Sequence, residues 1–102
     1  MREIVFDTET TGLDPLAGDR LVEIGCIELF NRFPTGKTFH GYFNPERDMP
    51  ESALKIHGLT VDFLKNQPLF AHRVGELIDF LFRGFHFHRH FVDLCRKYEI
   101  IL

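Results

Sequence analysis

The apolar run Ile4-Val5-Phe6 leads directly into Asp7-Thr8-Glu9-Thr10-Thr11-Gly12, and no other passage constrains the chain as strongly. The run predicts a strand over Arg2–Asp7. Residues i and i+2 of a strand leave the same face, so Val5, Asp7 and Glu9 share one face and Ile4, Phe6 and Thr8 the other. Both faces are apolar until the carboxylates begin, which predicts a central strand covered on two sides. Two hard oxygen donors on one strand end suit Mg²⁺ or Mn²⁺, ions that bind carboxylates alongside substrate phosphates. Thr10-Thr11-Gly12 supply a tight exit, with hydroxyls and backbone N–H groups beside the acids. A bare Asp-x-Glu would more often be a solvated strand end. The hydrophobic lead-in and the Thr-Thr-Gly exit make this pair specific.

The remaining pattern predicts a small α/β unit. Leu13–Asp19 is a loop, punctuated by Asp14-Pro15 and Gly18-Asp19. Leu21–Leu29 and Lys37–Phe43 read as strands two and three, joined through Asn31–Gly36, where Pro34 and Gly36 mark a turn. Short connections between three consecutive strands imply an antiparallel meander. Glu51–His57 reads as a short helix, begun near Pro50 and closed by Gly58 as a left-handed cap. Thr60 can cap a further turn, with Val61, Phe63 and Leu64 facing inward and Pro68 ending it. Phe70–Phe82 is the strongest helix, with Val74, Leu77, Ile78 and Leu81 at i, i+3, i+4, i+7 spacing.

One hundred and two residues suffice for one small core and not for two. A formal net charge of −3 excludes a general nucleic-acid coat, which would be basic. It is compatible with an enzyme that meets phosphates through bound cations. Cys26 and Cys95 are too few for a disulfide framework and fit buried thiols in a reducing compartment. No window has the length of a membrane-spanning helix, and Met1-Arg2-Glu3 opens into a strand without a signal-peptide core. The expected location is the cytoplasm, with no membrane partner.

Asp7-Thr8-Glu9-Thr10-Thr11-Gly12 resembles the first motif of the DEDD-group proofreading 3′–5′ exonucleases, most closely the epsilon-subunit family of bacterial DNA polymerase III. Arg20–Glu28 resembles that family's second strand, I-x-E-I-G-x-x-x; Asn31-Arg32, Thr35-Gly36 and Phe39-His40 fit the hairpin after it. Ile56-His57-Gly58-Leu59-Thr60 through Phe63-Leu64 resembles the family's V-H-G-I/L segment. The resemblance runs from Arg2 to about Gly84. It implies an incomplete ribonuclease H-like exonuclease fold, a mixed sheet whose three-strand antiparallel meander is followed by helices. It implies Asp7 and Glu9 as catalytic residues and ligands of two Mg²⁺ or Mn²⁺ ions straddling the scissile phosphate. Substrate contacts are implied for Asp7, Glu9, Thr10 through its backbone N–H, Ser52 and His57. Ser52 stands where the family usually carries a glutamate, which weakens the contact expected there. The implied partners are a single-stranded DNA 3′ end, the alpha subunit of DNA polymerase III and the other core subunits.

The family's second motif, N-x-x-F-D, is absent from the sequence. After Arg83-Gly84 the chain reads Phe85-His86-Phe87-His88-Arg89-His90-Phe91, and Asp93–Ile100 resembles the family's helix before its third motif, H-x-x-x-x-D. Residues 1–84 thus read as the N-terminal part of an exonuclease domain, and residues 85–102 as an aberrant junction plus that helix. The spacing of the third motif occurs at His57…Asp62, which fits the V-H-G-I/L segment better, and at His88…Asp93. Asp93 could instead stand for the second-motif aspartate. His86, His88 and His90 would share one face of a strand and could bind Zn²⁺, although no supporting carboxylate is evident. Two functions follow from the resemblance: a metal-dependent 3′–5′ exonuclease, or a catalytically inactive remnant or binding fragment of one.

Overall fold

The structure is a computed structural model that describes residues 1–82. The junction at residues 85–90, the His88…Asp93 pair, Cys95 and the C-terminal helix expected from the sequence lie outside the described residues. Strands β1 (Arg2–Thr10), β2 (Leu21–Phe30) and β3 (Phe33–Tyr42) form one antiparallel sheet in the order β1-β2-β3. Helices α1 (Glu51–His57), α2 (Val61–Leu64) and α3 (Phe70–Leu81) follow. No described residue supplies the further strand that would make the sheet mixed.

The pairing register divides the sheet into two chemically different faces. Phe6 pairs with Cys26 and Cys26 with Phe39, while Thr8 pairs with Ile24, so these residues share a face with Ile4. Helix α3 covers that face through Val74, Leu77 and Ile78, each at most 1% exposed, and Phe39 meets Phe80 at a ring-centroid distance of 6.2 Å. Cys26 is a buried free thiol in this core, and burial pushes its pKa up. The other face carries Asp7 opposite Gly25 opposite His40, and Glu9 opposite Glu23 opposite Tyr42. It looks away from α3.

Covering β1 on both faces was the expectation, and here the structure differs. Val5 is 50% exposed and Phe6 54%. Among the described residues β1 pairs only with β2, and α3 lies over the β2–β3 side of the sheet, so the outer margin of β1 stays open.

The hairpin also differs from expectation. Phe30 pairs with Phe33, so the turn is the two-residue Asn31-Arg32, both with positive φ (49° and 72°) as a type I′ turn demands. Pro34 belongs to β3, where an edge position tolerates a missing N–H, and Gly36 (φ 88°) lies where the register shifts between Ile27 and Leu29.

Helix α1 begins after Pro50 and ends at Gly58 (φ 72°), whose N–H donates to the Leu54 carbonyl, as the sequence predicts. Thr60 caps α2 by accepting from the Phe63 N–H. One helical turn can bury only one side, so Leu64 is fully buried while Val61 and Phe63 are each 43% exposed, against the expectation that all three pack inward. Phe63 instead meets the edge of Tyr42, with centroids 4.9 Å apart. Among the described residues no helix is long and apolar enough to cross a membrane.

The end of α3 is tied to the start of β1 by Arg2. Its guanidinium donates to the Leu81 carbonyl at 2.8 Å and to the Phe80 carbonyl, satisfying acceptors that a helix end leaves open. The same group pairs with Glu28 at 2.5 Å, and the Thr35 hydroxyl donates to Glu28 at 2.8 Å. Arg2 first, and Thr35 second, hold the Glu28 carboxyl below its ordinary range. A carboxylate with a depressed folded-state pKa contributes stability above its unfolded pKa and loses it as pH falls through the folded value. Urea unfolding between pH 7 and pH 3 is therefore expected to show an acid-side loss of stability that Glu28→Gln makes shallower. An unchanged acid limb in Glu28→Gln would contradict this.

Candidate active site

Strand β1 ends at Thr10, and the segment after it is built around one carboxylate, Asp19. Thr11, 1% exposed, donates its hydroxyl to Asp19 Oδ1 at 2.9 Å, and its N–H goes to the Arg20 carbonyl at 2.9 Å. The Asp14 N–H donates to Asp19 Oδ2 at 3.0 Å, and Arg47 donates to Asp19 Oδ1 at 3.0 Å and to the Gly18 carbonyl at 3.1 Å. The Asp14 N–H, then the Thr11 hydroxyl and, more weakly, the Arg47 charge hold the Asp19 pKa below its usual value. Asp14 caps the 3₁₀ turn Pro15–Ala17, and Gly18 (φ 94°) closes it. Gly12 leaves room for this arrangement: a Cβ there would stand 2.6 Å from Asp19 Cγ.

Between this loop and α1 lies an open cleft of about 700 Å³. Glu9, Thr10, Ser52 and His57 line it, so four of the five substrate-contact residues expected from the sequence come together. Asp7 does not line it. It stands two residues back on the same face of β1, exposed, with Oδ1 accepting from the Thr8 N–H at 2.9 Å. Glu51, the acid adjacent to Ser52, is not part of the lining and pairs with Lys55 at 3.3 Å. His57 bonds the Thr10 carbonyl through Nε2 at 3.1 Å and accepts from the Leu59 N–H at Nδ1, 3.0 Å. Asp62 lies on α2, where it pairs with Lys65 at 3.4 Å, and is not among the lining residues, so the cleft does not bring His57 and Asp62 together.

Sequence reasoning missed two groups of residues here. Leu13 and Ile56 line the cleft while 99% and 80% exposed, two apolar surfaces facing solvent at its mouth. The sequence signal was an apolar residue inside a Gly-Asp-Pro loop and another next to His57. Asp19 and Arg47 gave no signal, because their pairing spans 28 residues.

The donor set suits a hard divalent cation. Asp7 and Glu9 offer carboxylate oxygens on one open face, and Mg²⁺ or Mn²⁺ commonly takes one or two protein carboxylates and completes its shell with water and phosphate. Among the described residues no group of three His, Cys, Asp or Glu side chains is placed to hold a metal.

The family model described as Exonuclease matches residues 4–98. The chain belongs to that family. It is 57% identical over 81 residues to the DNA polymerase III subunit epsilon of Rickettsia prowazekii and 40% identical over 84 residues to that of Salmonella typhimurium. These alignments cover 79% and 78% of this chain, which spans 35% of the length of each relative. In three dimensions it resembles exonuclease I at a TM-score of 0.68 and 20% identity, over 78% of this chain and 18% of that one. Metal-free E. coli ExoI in complex with single-stranded DNA gives a TM-score of 0.71 at 20% identity, over 80% and 18%. The fold is thus the ribonuclease H-like exonuclease fold, present in part.

Gly12→Ala is expected to destabilise the chain by about 1–3 kcal/mol, the usual cost of overpacking. Gly25→Ala, where a Cβ would meet nothing nearer than 3.8 Å, is the control and is expected to lose no stability. Chemical denaturation of both variants measures the difference.

Proposed function

We propose that this chain is part of a proofreading 3′–5′ exonuclease subunit of DNA polymerase III, acting on a single-stranded DNA 3′ end. Residues 1–84 would be the N-terminal part of its exonuclease domain, and residues 85–102 a junction followed by the helix that precedes the third motif. The observation that carries this reading is the placement of Asp7 and Glu9 on one open strand face, with Glu9 at the cleft. The cleft lining contains Glu9 and Asp19 and no Lys or Arg among the described residues, so a polyanionic strand needs a cation to approach. Family membership and the epsilon relatives support the same reading.

In this scheme Asp7 and Glu9 hold Mg²⁺ or Mn²⁺, which when bound neutralises the phosphate and lowers the pKa of water. Thr10 offers its backbone N–H to the terminal 3′-OH, and Ser52 and His57 form the opposite wall. Leu13 and Ile56 give the terminal base two apolar surfaces to pack between. The remaining groups of the family's site, a further carboxylate pair and the histidine that takes a proton from the attacking water, have no counterpart among the described residues. Geometry of this kind is sensitive: small misplacements remove most of a rate. Partners by the same resemblance are the alpha subunit and the other core subunits, in the cytoplasm.

The second function, an inactive remnant or binding fragment, is favoured for the isolated chain by the absence of N-x-x-F-D from the sequence. The chain alone is accordingly expected to release little or no mononucleotide from a 3′-labelled single strand with Mn²⁺, at the level of an Asp7→Ala control. Robust release lost in Asp7→Ala would overturn the inactive state, and its further loss on changing His88 or Asp93 would identify a substitute third motif.

A further inference from the structure

We infer that His57 is a positioning residue of this cleft, a latch between α1 and the end of β1, and not a nitrogen ligand of the substrate. An imidazole has two nitrogens and no other polar atoms. Both are spent within the protein: the Leu59 N–H donates to Nδ1 at 3.0 Å, and Nε2 lies 3.1 Å from the Thr10 carbonyl. A backbone N–H can only donate, so Nδ1 carries no proton. The ring proton therefore sits on Nε2 and is given to the Thr10 carbonyl. His57 faces the cleft while both nitrogens point into protein partners, and what it can present to a ligand is ring carbon.

The Thr10 carbonyl belongs to the peptide unit that joins Thr10 to Thr11, and that unit is held from both ends. Its N–H, on Thr11, donates to the Arg20 carbonyl at 2.9 Å, at the entry to β2. Its oxygen accepts from His57, 47 residues away on α1. The Thr10 hydroxyl adds a bond to the Gly12 carbonyl at 2.7 Å. Register slips between Glu9 and Thr10, so the regular ladder with β2 is interrupted where the backbone must be fixed most closely. The His57 bond supplies that restraint, and it sets the spacing between the Thr10 side of the cleft and the wall carrying Ser52, Ala53 and Ile56. Gly58 makes the second half possible: its φ of 72° turns the chain so that the Leu59 N–H reaches back to Nδ1.

The functional half of this inference rests on the nucleotide-binding reading of the cleft, and the test separates the two. Long-range ¹⁵N–¹H correlation of the intact chain reports the His57 tautomer directly. The expected spectrum shows a protonated Nε2, a bare Nδ1 and a slowly exchanging Leu59 amide. Titration with a deoxynucleoside 5′-monophosphate and Mn²⁺-free Mg²⁺ buffer is expected to leave both ring nitrogen shifts in place while Thr10, Ser52 and Ile56 resonances move. His57→Ala should weaken the mononucleotide about tenfold, each factor of ten corresponding to about 1.4 kcal/mol. His57→Gln, whose amide can both accept and donate, should recover most of that loss. A proton on Nδ1, or ring nitrogen shifts that follow nucleotide saturation, would overturn the latch. If the wild-type chain binds no mononucleotide, the nucleotide reading of the cleft fails, and the tautomer and Leu59 exchange still decide the latch.

Discussion

The register between β1 and β2 is the constraint on which the rest depends. Asp7 pairs with Gly25 and Glu9 with Glu23, and this alignment sends Ile4, Phe6 and Thr8 toward α3 and both acids away from it. A slip of one residue would exchange the faces, turning both carboxylates to the α3 side, where Ile4 packs against the buried core. Burying an unpaired carboxylate costs far more than any apolar contact returns. The same hydrophobic patterning that builds the core therefore presents the acids to solvent.

Two further restraints turn that strand end into a cleft. Asp19 gathers the Thr11 hydroxyl, the Asp14 N–H and the Arg47 guanidinium, and so gives the loop after β1 a fixed shape. His57 holds the other side by bonding the Thr10 carbonyl from the end of α1. Exposed Leu13 and Ile56 at the mouth gain no burial from the fold itself, and exposed apolar side chains framing a cleft fit a ligand with apolar faces. The three features together join a metal-suited carboxylate pair to an open cleft with apolar residues at its mouth.

Much of this was legible from local chemistry. Asp7 and Glu9 share a face because strands repeat every two residues. Helix α3 was legible because Val74, Leu77 and Ile78 repeat at helical spacing, and α1 because Pro50 and Gly58 bracket it. The hairpin was misread because Pro34 and Gly36 are stronger punctuators than Asn31-Arg32, and an arginine at φ 72° is not what a type I′ turn usually takes. The exposure of Val5, Phe6, Val61 and Phe63 was not legible, since it depends on which neighbours cover each face. Asp19 with Arg47 and His57 with Thr10 were invisible for the same reason. Each pairs groups that only the folded chain brings together.

The central claim is that Asp7 and Glu9 form the cation-binding end of β1. Titration of the isotope-labelled chain with Mn²⁺ tests it most directly, because paramagnetic broadening falls on the nuclei nearest the ion. The account predicts that the Asp7, Glu9 and Thr10 resonances broaden before any others, with weak affinity, and that Asp7→Ala removes the effect. Earliest broadening at His86–His90, with Asp7 and Glu9 untouched, would contradict it.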